Sequence, residues 1–118
     1  MDVLILAAGL GARMGDLTKD LPKPLLPVKG KPLIDYALNL IEPLQTKNIF
    51  INTHYHADLI QSHISNNYEN IKISFEPEIL GTGGGIKKIH QNDLLVLNTD
   101  NLWQAQFTQE IKSAWDHF

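Results

Sequence analysis

The chain has 118 residues, 43% of them hydrophobic and 19% charged, which suits one globular domain with a modest core, spanning 1–118, and leaves no room for a second full domain. A net charge of −3 and a pI near 5.9 exclude a strong basic field, so neither nucleic acid nor an anionic membrane is an expected partner, and a polyanion must be held by a local site. The absence of cysteine excludes disulfides and thiolate metal sites and fits a reducing cytoplasm, the expected location; no apolar run approaches the roughly 20 residues of a membrane span.

Val3-Leu4-Ile5-Leu6 is a continuously apolar run ending in Ala7-Ala8-Gly9, the pattern of a strand buried on both faces and central to a parallel sheet. From Gly9 to Pro27, glycines and prolines among scattered charges read as one long loop, and loops of that length are usually functional. Pro32 sits at an expected first helical position, and Leu33, Ile34, Ala37, Leu38, Ile41 and Leu44 then recur at helical spacing. Asn48 to Thr53 reads as a second strand, Ala57 to Ser65 as a second helix with Leu59, Ile60 and Ile64 inward, and Ile71 to Phe75 as a third strand. After a turn-rich stretch and a short helix near Ile86 to His90, Leu94 to Leu97 predicts a fourth buried strand, and Thr108 to Trp115 a closing helix. Alternating strands and helices predict a three-layer α/β/α domain whose mostly parallel, Rossmann-like sheet binds ligands beyond the carboxyl ends of its strands.

The first strand runs into Gly9-Leu10-Gly11-Ala12-Arg13, where two glycines permit a sharp turn that brings backbone N–H groups against an anion, and Arg13 adds a positive fork. Alone, this G-x-G is equally the mark of a tight turn without a ligand. A dinucleotide site would show a third glycine and a helix at once; here Leu21-Pro22-Lys23-Pro24-Leu25 follows instead. The flanking prolines predict a stiff, extended segment presenting the Lys23 ammonium, where an isolated lysine would be read as a solvated surface residue. Gly11, Arg13 and Lys23 share one loop and can converge on a triphosphate. Asp100, just past the fourth strand, suits Mg²⁺, which takes one or two carboxylates with phosphate oxygens and water; its bland reading is an Asx-turn or helix cap.

Leu6 to Met14, Pro22-Lys23-Pro24-Leu25, Leu80-Gly81-Thr82-Gly83-Gly84 and Asn98-Thr99-Asp100 together resemble the sugar-1-phosphate nucleotidyltransferases, in the same order and at similar spacing over nearly the whole chain. Thr82-Gly83-Gly84-Gly85-Ile86 and Asp100-Asn101-Leu102-Trp103 look most like the branch that transfers a uridylyl group to N-acetylmuramate 1-phosphate in bacterial cell-wall (peptidoglycan) recycling. The resemblance implies the nucleotide-diphospho-sugar transferase fold and a first loop that wraps the triphosphate. Leu6, Ala8 and Gly9 would lie beside the nucleotide, with the backbone near Ala8 and Gly9 meeting the base. Gly11, Ala12 and Arg13 would cradle phosphates, Lys23 would meet the α-phosphate, Gly83 would line the base pocket, Asn98 would hold the nucleoside, and Asp100 would bind Mg²⁺. Arg13, Lys23 and Asp100 are thus the expected catalytic set, with UTP and a sugar 1-phosphate as substrates. GTP with mannose 1-phosphate, or CTP with an alcohol phosphate, are the enzymatic alternatives. The family usually carries glycine where Thr99 stands, so its branched side chain is expected to crowd the site. Family members also continue beyond this length, so the domain reads as incomplete on its carboxyl side. It is therefore expected to bind nucleotide better than it turns over, with a catalytically impaired nucleotide-binding remnant as the non-enzymatic alternative and a homo-oligomer or a second chain expected to complete it.

His54-Tyr55-His56 is read as a strand-to-helix turn in which a histidine hydrogen-bonds locally, in preference to an H-x-H metal chelate. Glu76 and Glu78 flank Pro77 and read as an exposed turn rather than a carboxylate pair of glycosidase type. Trp103 and Trp115 read as core or interface aromatics. Phe107, Ile111, Ala114 and Trp115 at helical spacing are expected either to cover the sheet or to form a pairing surface.

Overall fold

A computed structural model describes residues 2–8, 20–78, 94–99, 103 and 106–116. Four parallel strands, β1 (Asp2–Leu6), β4 (Asn48–Thr53), β5 (Ile71–Phe75) and β6 (Leu94–Asn98), form a sheet in the order β5-β4-β1-β6. The β-strands β2 (Pro27–Val28) and β3 (Lys31–Pro32) make a separate hairpin, and the helices are α1 (Leu33–Ile41), α2 (Ala57–Asn67) and α3 (Gln106–Asp116). The chain adds β4 and then β5 on one side of β1 and returns to place β6 on the other. The strand order therefore reverses between β1 and β6, and such a switch point opens a crevice at the carboxyl ends.

Side chains alternate across the sheet with a period of two, and the register turns that period into rows. Leu95, Val3, Ile49 and Ile71 form one row, and Leu97, Ile5, Ile51 and Ile73 the next. Both rows join Ile34, Ala37, Leu38, Leu40 and Ile41 of α1 and Ile60 and Ile64 of α2 in one hydrophobic cluster. Trp103 and, from α3, Phe107 and Ile111 pack on the same cluster, so these three side chains contribute to the core. Leu4 points to the opposite face and is also fully buried, as expected of a central strand with both faces covered.

Local chemistry explains the boundaries. Lys29 and Gly30 both have positive φ (53° and 78°), the two-residue turn whose twist suits a tight hairpin. This hairpin begins at Pro27, where the stretch read as loop ends, and is not legible in the sequence because prolines at both ends hide so short a strand pair from a periodicity test. Pro32 is the cap residue, extended at φ −57° and ψ 144°, and the helix begins at Leu33 rather than at Pro32. Asp35 in its first turn favours the positive end of the helix dipole. The last α1 bond runs from Glu42 N to Leu38 O at 3.2 Å, and Pro43, with no N–H, cannot extend it. In α2, Ile60 and Ile64 are buried as expected, whereas Leu59 is half-buried and the helix runs two residues past Ser65. The helix expected near Ile86 to His90 lies outside the described residues. Among the described residues no helix is long and apolar enough to cross a membrane.

Candidate functional site

The strand register places Leu6 opposite Asn52 on one side and Asn98 on the other, so the ends of β1, β4 and β6 form one edge. Asn52 is 3% exposed, and its Oδ1 accepts the Ala7 N–H at 2.6 Å while its Nδ2 donates to Glu76 Oε2 at 3.1 Å. Glu76 is fully buried, and its N–H donates to Thr53 O at 2.7 Å. On the other side Thr99 Oγ1 donates to Leu6 O at 3.1 Å, and Trp103 Nε1 donates to Asn98 O at 3.0 Å. A polar network therefore fastens the exit of β1 to both neighbours, and through Asn52 to the segment after β5. Buried polar groups are tolerated only when paired in this way.

Of the residues expected to bind nucleotide, Leu6, Ala8 and Asn98 meet at this edge, Ala8 being 6% exposed and Asn98 solvent-facing. Lys23 is half-buried and opens a single 3-10 turn, Lys23–Leu25, whose Leu25 N–H donates to Pro22 O and whose Leu26 N–H donates to Lys23 O. The extended conformation expected of it belongs only to the flanking Pro22 and Leu26. Rigidity survives the correction, because Pro22 and Pro24 are both buried and Leu25 packs on the core beside α1. Gly9, Gly11, Ala12, Arg13, Gly83 and Asp100 lie outside the described residues.

One further reading changes. Glu76 is not an exposed turn residue: the chain folds back after β5 so that its carboxylate enters the edge network, while Pro77 and Glu78 are exposed. Thr99 is 4% exposed and donates its hydroxyl to Leu6 O at the end of β1. Asn52 was missed altogether; its signal was an amide interrupting the apolar run just before the turn. His54 Nδ1 lies 2.6 Å from Glu76 O, and His56, at φ 50°, caps α2 with its carbonyl accepting the Leu59 N–H. The two histidines thus have separate local roles, and Tyr55 stacks obliquely on His56 with ring centroids 4.2 Å apart. Among the described residues no group of three or more His, Asp or Glu side chains is placed to hold a metal.

Away from this edge, α1 and α2 are joined by Asp35, whose Oδ1 lies 2.7 Å from His63 Nε2 and accepts the Tyr68 hydroxyl at 2.8 Å. Burial first, then the hydrogen bond to Asp35 and the negative charge of Asp35 and Glu42, push the Tyr68 hydroxyl well above its ordinary pKa.

The family model for nucleotidyl transferases matches residues 2–117. The chain belongs to this nucleotidyl transferase family. It is 36% identical to N-acetylmuramate alpha-1-phosphate uridylyltransferase of Caulobacter vibrioides, over 96% of this chain and 52% of that protein. It is 32% identical to D-glycero-alpha-D-manno-heptose 1-phosphate guanylyltransferase of Campylobacter jejuni, over 92% of this chain and 52% of that protein. Among solved structures, HddC from Yersinia pseudotuberculosis complexed with GMP-PN superposes with a TM-score of 0.76 at 31% identity, over 98% of this chain and 54% of that one. This nucleotidyl transferase chain spans about half the length of the relatives it matches. The mostly parallel sheet with its helices has the fold of these relatives' solved structures.

Proposed function

We propose that this chain forms the nucleotide-binding part of an enzyme that transfers UMP from UTP to a sugar 1-phosphate, with N-acetylmuramate 1-phosphate as the leading acceptor. The observation that carries the choice of uridylyl transfer is the 36% identity to a uridylyltransferase over 96% of the chain. The strand-end edge supports it, because Leu6, Ala8 and Asn98 lie at the switch point where a nucleotide would enter.

In this reading a phosphate oxygen of the sugar 1-phosphate attacks the α-phosphorus of UTP. The new P–O bond forms as the bond from the α-phosphorus to the bridging oxygen breaks, and pyrophosphate leaves. The nucleophile is already ionised, so positioning and charge neutralisation carry the catalysis rather than a general base. Backbone near Ala8 and Gly9 would meet the base, Gly83 would line its pocket, and Asn98 would hold the nucleoside. Gly11, Ala12 and Arg13 would cradle the phosphates, with Lys23 on the α-phosphate. A lysine on a 3-10 turn between two buried prolines loses little freedom on binding, which suits that role. Mg²⁺ fits the donor chemistry: Asp100 follows directly on Thr99, whose hydroxyl is tied to β1, and a carboxylate with phosphate oxygens is the set Mg²⁺ prefers. When bound, Mg²⁺ neutralises phosphate charge.

Calorimetric titration of the chain with UTP, CTP, GTP, ATP and NADH, with and without Mg²⁺, tests the reading. Mg²⁺-dependent binding that favours UTP supports it, and pyrophosphate release with N-acetylmuramate 1-phosphate then tests the acceptor. Preference for GTP or CTP reassigns the base, and tight NADH binding without triphosphate binding refutes the proposal.

A further inference from the structure

We propose that Asn52 is a positioning residue for the nucleotide: together with Glu76 it sets the direction in which the chain leaves β1 toward the phosphate loop. This inference rests on the nucleotide-transfer reading above. In a parallel ladder the backbone of the neighbouring strand normally supplies the hydrogen bonds, and the β1/β4 pairing ends at Leu6 and Asn52. The next N–H, that of Ala7, turns instead to the side chain of Asn52 at 2.6 Å. The direction of the chain at Ala7 and Ala8 is therefore decided by a side chain rather than by the strand lattice.

That side chain is itself fixed. An amide has one acceptor end and one donor end, and binding Ala7 with its oxygen leaves its NH₂ to find an acceptor. Glu76 Oε2 accepts it at 3.1 Å, and Glu76 is held in turn by its own N–H on Thr53 O. All three side chains are shielded from solvent, with Asn52 3%, Ala7 2% and Glu76 0% exposed, so water does not replace a lost bond. A carboxylate that only accepts forces the orientation of the Asn52 amide, and that orientation presents its oxygen to Ala7. No local pattern joins these residues, which lie 45 and 24 positions apart in sequence. Their convergence on Ala7, next to the expected nucleotide loop, is what distinguishes positioning from simple core filling.

The test combines amide hydrogen exchange with calorimetric UTP titration on the 118-residue chain, comparing wild type, Asn52→Leu and Ile60→Val. The last is a core change that lowers stability without touching a hydrogen bond of this network. Asn52→Leu is expected to lose protection at the Ala7 amide while the Ile5 and Ile51 amides stay protected, and to bind UTP at least about 10-fold more weakly. Ile60→Val is expected to keep both the Ala7 protection and the affinity. If Asn52→Leu does not fold, Asn52→Ser, too short to reach Ala7, takes its place with the same expectations. Wild-type affinity in a folded Asn52 variant with an unprotected Ala7 amide overturns the inference alone. A wild-type chain that binds no triphosphate overturns the functional reading and this inference with it.

Discussion

The helix-covered face of the sheet and its carboxyl edge are built from the same four strands by opposite rules. On the face, Val3, Ile5, Ile51 and Leu97 are held by area: each is at most 4% exposed and none donates or accepts through its side chain. At the edge, Asn52, Glu76 and Thr99 are just as buried, yet each is held by a directed bond across strands. Apolar contact is non-directional and tolerates small shifts, whereas a hydrogen bond fixes distance and angle. The face therefore supplies stability, and the edge supplies fixed geometry, which the nucleotide recognition proposed above requires.

Substitutions that separate the two currencies sharpen this contrast. Ile34→Ala, fully buried in the first turn of α1, is expected to cost about 3 kcal/mol of unfolding free energy, read by urea denaturation, with UTP affinity of the folded chain unchanged. Lys23→Ala is expected to do the reverse. Turnover should fall about 100-fold, more than nucleotide affinity falls, because charge grows on the α-phosphate in the transition state, while stability falls less than in Ile34→Ala. Steady-state kinetics set beside calorimetry decide it, and equal losses in both would remove the catalytic assignment.

Thr99→Val keeps the shape of the side chain but leaves Leu6 O without its hydroxyl donor. It is expected to cost about 1 kcal/mol by denaturation and to loosen amide exchange at the β1 exit. The smallest effect belongs to the α1/α2 seam. The hydroxyl of Tyr68 holds its proton more tightly in the folded chain than at its ordinary value of 10.0. The unfolded chain then loses that proton first, so the contribution of Tyr68 to stability is complete below about pH 10 and declines as pH rises above it. Thermal melts of Tyr68→Phe should lack that decline.

Much of the face was legible in the sequence. Asn48 to Thr53 and Ile71 to Phe75 are strands with the limits their apolar runs give, and Ile60 and Ile64 turn inward as helical spacing requires. The closing helix extends only slightly beyond Thr108 to Trp115. The edge was legible in part: parallel strands bring their carboxyl ends together, so Ala8 and Asn98 fall on one edge, while the nucleotide roles proposed for them come from the family resemblance. Glu76 was misread because Pro77 and Glu78 are true turn residues, and composition gives no sign that the chain folds one residue of that turn inward.

Sequence by itself determined the family, the mostly parallel sheet and most of the residues its core takes inward, because side-chain periodicity is a local property written in consecutive residues. Only the tertiary structure decided that Asn52 answers Ala7, that Thr99 answers Leu6 across 93 positions, and that Lys23 sits on a turn pinned by two buried prolines. Those facts depend on which polar groups find each other once the strands are side by side, and a buried polar atom takes whichever partner the register brings within reach.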